Sequence, residues 1–179
     1  MIDYTKIAEL AKKCGFTHSA QINIPGLEFL PEVRSMCNPE QCKSYNTSWS
    51  CPPACAPLDE LKEKVNTYQF GVLIQTVSEV EDNYDWEGMM AAGELQKKNF
   101  AEMWKELRNE YNDIFAMGSG KCSLCKTCTY PDNPCCKPNE KEISMEACGL
   151  FVSKVCKDNG LEYNYGPGKM AYTSCFFIN

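Results

Sequence analysis

Apolar residues recur along this chain in two rhythms, a helical step of three to four residues and the tighter spacing of strands. Two stretches obey neither. From Asp3 to Cys14 the apolar positions Ile7, Leu10 and Ala11 fall on the helical step and Gly15 follows as a C-cap, which predicts a first helix. The next stretch, THSAQINI, is short, carries β-branched residues and stops at Pro25-Gly26, so a strand is expected there. Leu30 to Met36 suits one or two helical turns, with Pro31 near the start, and Pro57 opens a helix to about Asn66 with acids in its first turn.

Tyr68 to Val77 (YQFGVLIQTV) is the strongest strand, β-branched, aromatic and expected to be buried on both faces. The longest helix is Trp86 to Tyr111, where Met89, Met90, Phe100, Trp104, Leu107 and Tyr111 recur mostly at helical steps. Asp113 to Met117 reads as another strand. Ser144 is the expected N-cap of a helix running to about Asn159, stopped by Gly160, and Met170 to Ile178 (MAYTSCFFI) closes the chain as a strand. Helices and strands alternate, so the expected fold is α+β (or α/β), one domain over 1–179 with a small mixed sheet flanked by helices.

The two unpatterned stretches, 37–57 and 118–138, hold most of the cysteines. A loop of some twenty residues inside a compact domain needs something to hold it, and a metal centre would do so. The chain has 179 residues, enough for one ordinary domain, and no apolar run of about 18 residues that would span a bilayer. The N-terminal MIDYTKIAELAKKCGF lacks the features of an export signal, so a soluble, cytoplasmic protein is expected. In that reducing compartment thirteen cysteines point to metal ligation or redox chemistry rather than disulfides.

A net charge of -6 argues against nucleic-acid binding, which draws on Lys and Arg contacts to phosphates. The acidic run from Glu79 to Glu87 reads as a solvated connection. His18 is the only histidine and reads as structural, and no G-x-G-x-x-G, Walker A or G-x-S-x-G motif is present.

In the second loop Cys122, Cys125 and Cys128 form a C-x2-C-x2-C run, followed by Cys135, Cys136 and Pro138. Three ligands so closely spaced can cap three corners of one polynuclear centre, as in the bacterial ferredoxin run. A mononuclear zinc site more often takes one C-x2-C pair and finds its second pair further along the chain. Cys135 and Cys136 are both within reach as the fourth ligand, and Cys51, followed by Pro52, is a third candidate reaching across from the other loop. The first loop supplies Cys37, Cys42, Cys51 and Cys55, enough for one all-cysteine site, and here zinc explains the spacing almost as well as an iron-sulfur cluster. Tyr45, Trp49 and Tyr130 are placed to shield a cluster. Cys14, Cys148, Cys156 and Cys175 fall on expected helices or strands and read as buried packing residues.

Two stretches, VRSMCNPEQCKSYNTSWSCPPACAPLDELK (33–62) and GSGKCSLCKTCTYPDNPCCKPNEKEISMEACGL (118–150), give the chain a resemblance to the DUF2284 family of predicted metal-binding proteins. The order of the motifs agrees and the resemblance covers nearly the whole chain. It implies a soluble protein of anaerobic bacteria or archaea that binds metal as 4Fe-4S clusters, without an assigned reaction. By position, Cys37, Cys42 and Cys51 correspond to the first motif, with Cys55 as fourth, and Cys122, Cys125, Cys128 and Cys135 to the second. Cys136 departs from the family pattern, which favours Cys135 as ligand and leaves Cys136 an extra thiol.

The leading functional expectation is an electron-transfer protein with one or two 4Fe-4S clusters and a redox partner protein, touching neither membrane nor nucleic acid. The alternatives are an enzyme whose cluster keeps an open iron site, and a module in which zinc merely staples the loops.

Overall fold

The structure, a computed structural model, describes residues 2–82 and 84–179; Asn83, within the acidic run, lies outside the described residues. Two ten-residue strands, β2 (Phe70–Glu79) and β5 (Lys169–Ile178), pair antiparallel along their whole length, from Phe70 opposite Ile178 to Glu79 opposite Lys169. They form the centre of a five-stranded mixed sheet. β1 (His18–Gln21) pairs antiparallel with the outer side of β2, and β3 (Ile114–Gly118) pairs antiparallel with β5. The two-residue β4 (Ile143–Ser144) lies parallel beside β3, giving the order β1-β2-β5-β3-β4.

Helices cover both faces. Phe70, Val72 and Ile74 of β2 and Phe176 and Ile178 of β5 point to one side, where α1 (Tyr4–Lys13) and α4 (Trp86–Glu110) bring Ile7, Ala11, Phe100, Met103, Trp104 and Leu107 onto them. Phe100 stacks on Phe176 with ring centroids 4.6 Å apart. On the other side Leu73, Cys175, Phe177, Phe115 and Met117 meet Leu61 and Val65 of α3 (Leu58–Asn66). Val155 and Cys156 of α5 (Val152–Asp158) complete that layer. Burial on both faces is why β2 lacks the apolar-polar alternation of a half-exposed strand. Its polar Gln75 is fully buried and paired, receiving the Tyr165 hydroxyl at 2.8 Å and donating to the Glu162 carbonyl at 2.9 Å.

The expected helix from Ser144 is shorter and later than the sequence suggests. Ser144 ends β4, its Oγ accepts the Ala147 amide at 3.1 Å to cap a turn, and α5 begins only at Val152. Gly149 is the physical reason: it adopts φ +73°, outside the helical region, and its carbonyl receives the Leu30 amide at 2.8 Å. A Cβ there would stand 2.9 Å from the Leu30 carbonyl oxygen, so the segment before α2 (Pro31–Ser35) presses directly on a glycine. The expected strand THSAQINI is likewise cut to β1, because Ile24–Gly26 closes into a 3-10 turn.

Candidate metal centre

The sequence places the cysteine loops far apart, and the fold brings them together. The first loop leaves α2 and returns at α3; the second leaves the C-terminal end of β3 and returns at β4. Their meeting point is Ser50, which is buried. Its Oγ accepts the backbone amide of Cys122 at 3.0 Å, lies 2.9 Å from Ser48 Oγ and stands 3.9 Å from Cys51 Sγ. Trp49 Nε1 donates to the Asn133 carbonyl at 3.0 Å, the Trp49 and Tyr130 rings meet edge to face at 4.9 Å, and the Tyr130 hydroxyl bonds Asn46 Oδ1. Two of the three aromatics expected to shield a centre thus clasp the loops to each other.

Local hydrogen bonds shape the first loop. Asn38 Oδ1 accepts from the Glu40 and Gln41 amides, forming a turn that carries Cys42, whose amide donates to the Asn38 carbonyl at 2.9 Å. The Cys55 amide donates to the Cys51 carbonyl at 3.1 Å, so one turn presents both cysteines. Cys51 and Cys55 are buried, and Cys37 and Cys42 are half-buried. Burial pushes the Cys37 thiol up to about 11, and any charge on Cys42, Glu146, Cys51 or Cys55 pushes the same way. Burial also raises Cys55, opposed first by Arg34. The Arg34 guanidinium donates from Nη1 to the Ala56 and Ala147 carbonyls at 2.8 and 2.9 Å, and from Nη2 to Cys55 Sγ at 3.2 Å. Arg34 therefore ties α2, the first loop and the turn before α5, with a donor resting on a cysteine sulfur.

In the second loop Cys122 is held by Ser50. Its thiol is raised by burial, while the backbones of Leu124 and Glu142 act in the opposite direction. Glu142, itself buried, accepts the Ser123 amide at 2.6 Å and its hydroxyl at 3.0 Å. Cys125 and Cys136 stand with sulfurs 3.3 Å apart, while Cys135 lies near enough to Cys122 for its charge to bear on that thiol. Cys136, the thiol left over by the sequence pattern, thus sits against an expected ligand. Cys128 and Cys135 line the same cavity, which measures about 510 Å³.

All thirteen cysteines are free thiols. Cys148, Cys156 and Cys175 are fully buried in the sheet-facing core, as packing residues would be, and Cys14 is nearly so. Cys148 nonetheless borders the first group, since charge on Cys55 or Cys37 raises its thiol further. Among the described residues no three His, Cys, Asp or Glu side chains converge closely enough to hold one metal ion as they stand. Thiolates on a single zinc lie roughly 3.8 Å apart, from Zn–S bonds of about 2.3 Å; thiolates on separate irons of a cluster are more widely spaced. Two groups of soft thiolate donors suit zinc or iron-sulfur centres, and the guanidinium directed at Cys55 suits charged sulfur.

Residues 20–178 match a family model described as "Predicted metal-binding protein (DUF2284)", and the chain belongs to that family. Neither a curated protein nor a solved structure matches it. Metal binding is thus the family's stated property. Arg34, Ser50 and Glu142 went unread in the sequence: each acts through partners that only the folded chain supplies, and no local pattern marks them.

Proposed function

We propose that this is an iron-sulfur protein that transfers electrons through one or two 4Fe-4S clusters to a partner protein, in the cytoplasm. The observation that carries this reading is the docking of two separate cysteine groups through Ser50, which lies between Cys51 and the Cys122 amide. Cys37, Cys42, Cys51 and Cys55 would hold one centre; Cys122, Cys125 and Cys128 would hold the other, with Cys135 as fourth ligand. A bound cluster would supply one-electron chemistry, its potential set by hydrogen bonds to sulfur, charge and exposure. The chain's part is to aim a donor at such a sulfur, as the Arg34 guanidinium does at Cys55. Among the described residues no helix is long and apolar enough to cross a membrane, which agrees with a freely diffusing carrier.

The test is anaerobic purification with iron, sulfide and zinc quantitation, visible absorption, and electron paramagnetic resonance of the reduced protein. Iron and acid-labile sulfide in comparable amounts with a reduced-cluster signal are expected. Stoichiometric zinc without labile sulfide in anaerobically prepared protein would overturn the reading. Cys55→Ser should deplete metal as fully as Cys37→Ser; a cluster that survives it would instead favour an open iron site in the first loop.

A further inference from the structure

The cavity walled by the five cysteines of the second loop is also lined by five lysines, Lys97, Lys121, Lys126, Lys137 and Lys141, and by no carboxylate. This is unexpected in a chain with 24 acidic and 18 basic residues. The lysines come from distinct segments: Lys97 from α4, the others from successive parts of the second loop and its approach to β4. Lys97 pairs with Glu94 at 2.7 Å and Lys137 lies 3.9 Å from Glu140, but among the described residues Lys121, Lys126 and Lys141 make no ion pair. Thr47, Thr127 and Thr129 add hydroxyls to the wall, and Trp49 and Tyr130 give it an apolar edge.

We propose that this cavity binds a small organic anion carrying carboxylate or phosphate groups, directly beside the second cysteine group. Concentrated positive charge in a concave site focuses potential and draws anions there while the acidic remainder of the surface repels them. Ammonium groups serve as point charges for phosphate and carboxylate oxygens. The volume of about 510 Å³ lies within the range of small-molecule sites, roughly 300–1,000 Å³. Concavity favours a small ligand over an acidic protein face, which would rest on the rim and leave the half-buried Thr129 and Lys141 unreached. A metal centre held by the cysteines would take part of the same volume, so the bound anion would lie next to it.

The test uses metal-loaded, anaerobically purified full-length protein, titrated calorimetrically with succinate and, separately, inorganic phosphate at low and moderate salt. One-site saturation by at least one probe is expected, weakened about tenfold or more in Lys121→Gln/Lys126→Gln, the loss of a charge contact or more. Iron, sulfide and zinc content should be the same in the variant, since neither lysine is a ligand. Absence of saturation, equal affinity in the variant, or binding of an acidic protein without binding of either probe would each overturn the proposal. The identity of the metal does not enter the titration, so zinc in place of iron would defeat the electron-transfer reading and leave this one standing.

Discussion

Replacing Arg34 tests whether one side chain holds the first cysteine loop in place. Arg34→Met keeps the aliphatic stem and removes the fork that donates to the Ala56 and Ala147 carbonyls at 2.8 and 2.9 Å and to Cys55 Sγ at 3.2 Å. A hydrogen bond from a charged donor is worth about 1.5–3 kcal/mol net. Arg34 is half-exposed, so water can replace part of what is lost, and a destabilisation of about 2–4 kcal/mol is expected for the metal-free, reduced protein. Urea unfolding measures it. Arg34→Lys should recover only part, because a single ammonium cannot serve carbonyls from two segments and a sulfur together. Arg34→Met should also alkylate more slowly at Cys55 near neutral pH, since the guanidinium is the main influence holding that thiol down against burial. An Arg34→Met protein within about 0.5 kcal/mol of the unaltered chain would refute the argument, as an ordinary surface change would do no more.

Ser50→Ala leaves the Cys122 amide without its acceptor and should cost about 1–3 kcal/mol, with faster hydrogen exchange at Cys122 and lower metal content in both loops; loss in one loop alone would contradict the proposed docking. Gly149→Ala should destabilise by more than about 1 kcal/mol, from a left-handed backbone and a Cβ forced onto Leu30, read as a fall in melting temperature. Phe176→Ala, which empties the stack on Phe100, should cost about 3–5 kcal/mol in denaturant unfolding. Burial holds the Cys148 and Cys175 thiols protonated well above the ordinary 9.0, while the unfolded chain releases those protons as pH passes that value. The unfolded state then binds fewer protons, so stability of the metal-free protein is intact below about pH 9 and falls above it; a denaturation midpoint unchanged from about pH 8 to 10.5 would contradict this.

The sequence by itself determined the order of elements, the double burial of β2 and the two cysteine loops, because hydrophobic periodicity and ligand spacing are local properties of the chain. It missed the break at Gly149, since Ser144 followed by helix-compatible residues looks like a cap until Leu30 arrives against the glycine backbone. The two-residue β4 carries no periodicity at all and exists only because β3 offers it an edge. Tertiary structure alone decided that Ser50 joins the loops, that Arg34 reaches Cys55 and Ala147, and that Cys136 stands beside Cys125. It also gathered five lysines of an acidic chain around one cavity. Hydrogen bonds and charge act over a few ångströms in space, and the fold brings together residues as far apart in sequence as Ser50 and Cys122, so spacing along the chain could not foretell them.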